Sequence, residues 1–156
     1  MNHDAPMTTV ERFLVRLVYA QKTPLIGGYI WLGLVARGTD IHPLATIGPG
    51  LRLQHSGIGV VVHSHTQIGR DVHIFPGVVV GRADIWHQDD EFGGFIIDDH
   101  VVLGAGAKLL TGGPEPLRVG RGTIVGANAV LTQSTGDNEI WAGAPARKID
   151  VRVPAV

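Results

Sequence analysis

Aliphatic or small residues return every six positions along most of this chain, and that period narrows the fold more than any other feature. The blocks open at Val60, Thr66, Val72 and Val78, resume at Ile97, Leu103 and Leu109, and resume again at Val119, Val125 and Leu131. Before Val60 the pattern runs through Ile41, Ile47 and Leu53, out of phase by about one residue. This period matches neither the roughly 3.6 of an amphipathic helix nor the roughly 2 of an alternating strand. It reads as a solenoid of short strands joined by tight turns, with the opening residue of each block pointing into a narrow interior. Backbone ladders then run between coils about 4.8 Å apart, and no coil buries its interior alone, so several must stack. A glycine after the aliphatic residue, as in Ile68-Gly69, Leu103-Gly104 and Val125-Gly126, is read as tolerating the sharp corner. An ordinary β-sandwich would space its turn signals about 8–12 residues apart, which this sequence does not do.

Two segments leave the repeat. Residues 82–96 are polar and carry Gly93-Gly94, which predicts a loop projecting from the coil; Gly112 to Pro116 predicts a smaller bulge. The N-terminal part differs in kind. Thr8 or Thr9 suits a helix cap, followed by Val10, Phe13, Leu14, Leu17 and Val18 as one apolar face. Pro24 opens a second apolar segment that ends near Gly38. The expected organisation is a helical segment over 1–37, a repeat domain over 38–149 and a tail over 150–156.

Composition removes several classes. With 44% hydrophobic and 17% charged residues the chain is not disordered, and its 22 glycines are not placed every third residue as in collagen. A formal net charge of −1 gives no electrostatic reason to expect nucleic acid or an anionic membrane. The absence of cysteine excludes disulfides, thiolate metal sites and cysteine nucleophiles. The longest apolar stretch, Leu25 to Ala36, contains three glycines and falls short of the roughly 20 residues of a spanning helix. The first residues show no signal-peptide pattern, and the expected location is the cytoplasm.

Asp40-Ile-His-Pro, Ile47-Gly-Pro-Gly and Leu53-Gln-His55-Ser-Gly follow one another in order. Downstream come Leu103-Gly-Ala-Gly-Ala-Lys, Val119-Gly-Arg-Gly and Ala142-Gly-Ala-Pro-Ala-Arg. Over about residues 38–149 the chain resembles the hexapeptide-repeat acyltransferases, and within them the serine O-acetyltransferases. The resemblance implies a mainly β fold, a left-handed parallel β-helix, with a short helical segment before it. It also implies acetyl-CoA as co-substrate, no metal, and a catalytic pair of His55 with Asp40. An alcohol is a poor nucleophile at neutral pH, and a histidine of reference pKa about 6.5 suits the removal of its proton as it attacks a thioester. A carboxylate on the other ring nitrogen fixes the tautomer and stabilises the imidazolium. With no cysteine, direct transfer is simpler than an acyl-enzyme route. The family holds its pantetheine arm along the coil wall, at positions matching Gly104, Ala105, Gly126 and Ala127. Arg147 and Lys148 are candidates for the nucleotide phosphates. Small residues at the first four positions are equally what a tight solenoid needs.

The chain departs from the family where the acceptor binds. Gln54 replaces an acidic residue before the catalytic histidine, and Gly93-Gly94 stand near the place of an Arg-His pair. Gln54 and His87, with Asp89 or Asp90, are therefore the candidate acceptor contacts. L-Serine is the first acceptor expected, and a sugar or other small hydroxyl metabolite the second. Only about 37 residues precede the repeat, and the chain ends in Pro-Ala-Val rather than the isoleucine that docks the cysteine-forming enzyme, so that complex is not expected. A homotrimer is. Two other readings remain on the same solenoid. A hydrase like the γ-type carbonic anhydrases needs three converging histidines, and His63 and His100 lack a third about five residues after His100. A non-catalytic scaffold would have no use for the Asp40–His55 pair. His63, His65, His73 and His100 are read as surface or subunit-contact residues.

Overall fold

The computed structural model describes residues 6–83 and 91–153. Two helices come first, α1 (Thr9–Ala20) and α2 (Gly27–Ala36). Thr8 caps α1 through a reciprocal capping box: its hydroxyl accepts from the Glu11 backbone N–H, and the Glu11 carboxylate accepts from the Thr8 backbone N–H. The buried stripe of α1 is Glu11, Leu14, Val15 and Val18, an i, i+3, i+4, i+7 series. Val10 and Phe13, expected on the inner face, are 52% and 58% exposed; they lie one residue off that stripe and turn outward.

Among the described residues, fifteen short strands follow, in three sheets. The first sheet holds β1 (Thr39–Ile41), β4 (Val60–Val62), β7 (Val79–Arg82), β10 (Lys108–Thr111) and β13 (Val130–Leu131), in that order. The second holds β2 (Thr46–Ile47), β5 (Thr66–Ile68), β8 (Phe95–Ile97) and β11 (Leu117–Val119). The third holds β3 (Arg52–Leu53), β6 (His73–Ile74), β9 (Val102–Leu103), β12 (Ile124–Val125), β14 (Glu139–Ala142) and β15 (Arg147–Val151). Pairing is parallel throughout, apart from the antiparallel β14–β15 pair. From β1 to β12 the chain visits the three sheets in turn, so residues about one circuit apart in sequence become ladder neighbours.

Each six-residue block buries two residues, not one. Val60 and Val62, Val72 and Ile74, Val78 and Val80, and Val101 and Leu103 all lie inside, each at most 2% exposed. The register explains the apparent change of frame after the 82–96 segment. Val78 belongs to the first inward position, whereas Ile97 stacks on Ile68 and Leu103 on Ile74, which are second inward positions. The glycines after these residues serve a different purpose from the one the sequence suggests. A Cβ on Gly104 would lie 2.7 Å from the backbone nitrogen of Ala127 on the next coil, so glycine is required by close approach rather than by a positive φ. The left-handed corner positions fall elsewhere, at residues such as Asp71, His100 and Asn128.

Candidate active site

The turn after β3 breaks the repeat locally. His55 (φ 49°, ψ 41°) and Ser56 (φ 65°, ψ 14°) are both left-handed, and Gly57 follows at φ 64°. This turn takes up the extra residue that puts Leu53 and Val60 out of phase. Thr39, at the start of β1, bridges to it: its hydroxyl donates to the carbonyls of Gly57 at 3.1 Å and Ser56 at 3.4 Å. Asp40 is the next residue of β1, so the strand bearing Asp40 and the turn bearing His55 lie side by side. Asp40 is half-buried and its Oδ1 accepts from Trp31 Nε1 of α2 at 2.9 Å. The His55 ring is exposed, and it forms no hydrogen bond or ion pair with Asp40 in the single chain. Gln54 is half-buried and opens the turn.

The backbone of His55 is held from the other side. Its N–H donates to Glu11 Oε1 at 2.8 Å, across 44 positions of sequence. Glu11 is only 9% exposed. The Thr8 backbone N–H, then the Thr8 hydroxyl and the His55 N–H, hold its carboxyl below the ordinary value.

The four small residues expected to line a coenzyme arm form one column. Gly104-Ala105 follow β9 and Gly126-Ala127 follow β12, adjacent strands of the third sheet. Ladder bonds run through the column, from Gly104 N–H to Val125 O at 2.8 Å and from Gly126 N–H to Trp141 O at 2.7 Å. Ala105 and Ala127 face solvent. The His55 turn follows β3, two strands from β9 in the same sheet, so it lies on the same corner at a separation of roughly 10 Å. At the far end of the column, Arg147 and Lys148 stand on β15, opposite Ala142 and Trp141. Lys148 Nζ is 2.8 Å from Glu139 Oε1, and with the Trp141 indole it holds the Glu139 carboxyl below its ordinary value. Among the described residues, Arg147 donates only to the carbonyl of Ala146, at 2.9 Å. His87, Asp89 and Asp90 lie outside the described residues.

Three features here were not read from the sequence. The Thr8-x-x-Glu11 spacing announces a helix cap, but nothing in it announces the His55 contact. Trp31 gave no signal at all. The third is an aromatic cluster at the base of the 82–96 segment. His63 packs on His65, Phe92 and Phe95, with ring centroids 5.4, 5.1 and 6.4 Å away. The Arg82 guanidinium lies 4.6 Å above the Phe92 ring. Burial, then the neighbouring charges of His65 and Arg82, pushes His63 below its usual value. His63 is thus half-buried in this cluster, whereas His65 touches Phe92 yet stays exposed. His100 Nδ1 is 3.9 Å from Asp71 Oδ2 at the surface. Among the described residues, no three metal-capable side chains converge, and no helix is long and apolar enough to cross a membrane.

Comparison with known proteins agrees with this fold. No protein-family model matches the chain. It is 32% identical over 124 residues to a serine acetyltransferase of Mycobacterium tuberculosis, covering 78% of this chain and 49% of that protein. It is 38% identical over 112 residues to a serine acetyltransferase of Helicobacter pylori, covering 72% of this chain and 61% of that one. The chain therefore spans about half to three-fifths of the length of these relatives. A crystal structure of serine acetyltransferase from Brucella abortus superposes with a TM-score of 0.75 at 28% identity, over 94% of this chain and 59% of that one. A structure of the Brucella abortus protein in complex with coenzyme A superposes at 0.72 with 30% identity, over 94% of this chain and 55% of that one. In sequence and in fold the chain is thus similar to the serine acetyltransferases, over about half to three-fifths of their length.

Proposed function

We propose that this chain is an acetyl-CoA-dependent O-acetyltransferase whose first acceptor is L-serine, built on a left-handed parallel β-helix over residues 38–149. The observation that carries the reading is the arrangement along one corner: the His55 turn beside Asp40 at one end, the Gly104–Ala127 column beyond it, and Arg147 at the other end. The chain's similarity to a serine acetyltransferase in complex with coenzyme A supports coenzyme A as the ligand of this corner.

In this reading His55 is the general base. Its ring turns about the side-chain torsions so that one nitrogen donates to the free oxygen of Asp40 and the other faces the acceptor hydroxyl. The imidazole takes the hydroxyl proton as the oxygen bonds to the thioester carbonyl carbon, giving a tetrahedral oxyanion. Collapse breaks the carbon–sulfur bond, and the departing thiolate takes the proton from the imidazolium. Asp40 remains ionised and stabilises that cation. Such a base typically contributes about 10²–10⁴-fold. Gly104, Ala105, Gly126 and Ala127 leave room for the pantetheine arm, and Arg147 and Lys148 meet the phosphates. Gln54 contacts the acceptor, with His87 as the candidate from the 82–96 segment.

A homotrimer, with acceptor sites between subunits, is part of the same proposal. It is supported by apolar side chains that the single chain leaves uncovered, among them Tyr29 at 80%, Leu44 at 73% and Ile58 at 62% exposure.

One observation favours a second acceptor class. Gly93 and Gly94 have no space for side chains: a Cβ on Gly93 would strike the Pro114 carbonyl, and one on Gly94 would strike the His65 carbonyl. With a neutral Gln54 as well, these positions do not supply the contacts expected for an amino acid's charged groups, and an uncharged polyol such as a sugar becomes the alternative. The test is release of coenzyme thiol from acetyl-CoA with L-serine, run beside a panel of sugars and hydroxy metabolites. Serine-dependent release supports the first reading. Release only with an uncharged acceptor replaces serine while keeping the transfer chemistry, and release with none of them removes the proposal.

A further inference from the structure

The His55 turn is an unusual place to mount a base. Two successive non-glycine residues, His55 and Ser56, are left-handed, a conformation that costs roughly 1–2 kcal/mol for each ordinary L-residue. Such residues persist only where the surroundings over-determine them. The ring of His55 is exposed and, among the described residues, makes no side-chain hydrogen bond or ion pair, so the backbone sets the direction in which the side chain leaves the turn. Two contacts fix that backbone. Thr39 Oγ1 donates to the carbonyls of Ser56 and Gly57, on the C-terminal side of the turn. On the N-terminal side, Glu11 Oε1 accepts the His55 N–H at 2.8 Å.

Glu11 is suited to the second task. Its other oxygen, Oε2, is fixed by the Thr8 N–H at 2.7 Å and the Thr8 hydroxyl at 2.9 Å. The carboxylate is therefore immobilised and charged before it meets His55, and a charge-assisted bond from a fixed acceptor is both stronger and more directional than a neutral one. A capping box needs only one carboxylate oxygen. In α1 the second one spans to the repeat.

We propose that Glu11 is a positioning residue for the transfer reaction: through the His55 N–H it holds the left-handed turn that aims the His55 ring at the acceptor. The helical segment is thereby part of the active site's mechanics as well as a cover for the first coils. This inference rests on the assignment of His55 as the base, and its test separates the two.

Glu11→Ala removes the carboxylate half of the capping box and the His55 contact together. Thr8→Ala weakens the same cap but leaves the Thr8 backbone N–H to hold Oε2, so Glu11 still reaches His55. Glu11→Asp keeps the charge and a capping side chain but is one methylene short of His55. The full-length chain of each variant is assayed with acetyl-CoA and the acceptor that the wild type uses, beside His55→Ala. Misplacing a catalytic group by about 1 Å costs up to about 100-fold. The expected kcat losses are accordingly about 10- to 100-fold for Glu11→Ala and Glu11→Asp, with the acetyl-CoA KM unchanged. Thr8→Ala should lower the Tm yet keep kcat within about twofold of wild type. Hydrogen exchange gives a second readout: the His55 amide should exchange slowly in wild type and Thr8→Ala, and fast in Glu11→Asp. Wild-type kcat in Glu11→Asp, or equal kcat in Glu11→Ala and Thr8→Ala, overturns the role of Glu11 while leaving His55 as the base. Full activity in His55→Ala overturns the assignment of the base and this inference with it.

Discussion

Trp31 Nε1 donates a 2.9 Å hydrogen bond to Asp40 Oδ1, so the second helix fixes the carboxylate of the first strand through a single indole. One oxygen of Asp40 is thereby occupied, and the other is left for the imidazole. Trp31→Phe keeps a smaller aromatic ring and deletes the donor. A hydrogen bond to a charged group is worth about 1.5–3 kcal/mol, so kcat should fall by about tenfold or more while the acetyl-CoA KM holds. Steady-state kinetics on the purified variant check this. An unchanged kcat would mean that the indole has no part in orienting Asp40.

The stability of the α1 cap should depend on acid pH in a defined direction. Hydrogen bonds from Thr8 and then His55 hold the Glu11 carboxyl below its ordinary value of 4.5. A carboxylate with a depressed folded-state pKa adds stability that is fully present above its unfolded value. That stability is lost as pH falls through the lower folded value. Wild type should therefore exceed Glu11→Gln in Tm at neutral pH by an amount equivalent to about 1 kcal/mol. The gap should narrow below pH 4.5, where Glu11 takes up its proton. Thermal melts from neutral to acid pH would show it.

The two cations at the far end of the column should differ in effect. Lys148 is already paired with Glu139 at 2.8 Å, whereas Arg147 spends its guanidinium on one neighbouring carbonyl. Arg147→Ala should raise the acetyl-CoA KM more than Lys148→Ala does, with kcat nearly unchanged in both. The pattern is read by comparing KM for acetyl-CoA with that for a coenzyme fragment lacking the nucleotide: only the former should respond to Arg147→Ala.

Installing an arginine at the glycine pair should fail. Gly94 has φ +80° and faces the His65 carbonyl, so Gly94→Arg meets both backbone strain and a main-chain clash. A loss of roughly 1–3 kcal/mol or more is expected from the strained backbone, measured as a drop in Tm. A variant as stable as wild type would show that the segment can open to take a side chain there.

The strands were legible because a buried position repeated every six residues leaves a mark that helices and sandwiches do not. The details were less so. Each block buries two residues, and small or polar ones such as Thr66, Ala107 and Thr123 fill some of the inward places, so the sequence shows only one inward residue per block and an apparent shift of frame. Val10 and Phe13 look like core by composition, yet α1 turns them outward because Leu14, Val15 and Val18 form the stripe that meets the coils. Asp40 and His55 were legible as a motif. Glu11 and Trp31 were not, because contacts across 44 and 9 positions depend on how the helices lie against the first coil, which no local pattern records.

The most direct test of the central claim is the rate of coenzyme thiol release from acetyl-CoA with L-serine, measured for wild type and His55→Ala at equal protein concentration. The account predicts serine-dependent release by wild type and a loss of about 10²–10⁴-fold in the variant, with the fold intact by circular dichroism. Release by His55→Ala at the wild-type rate would contradict it.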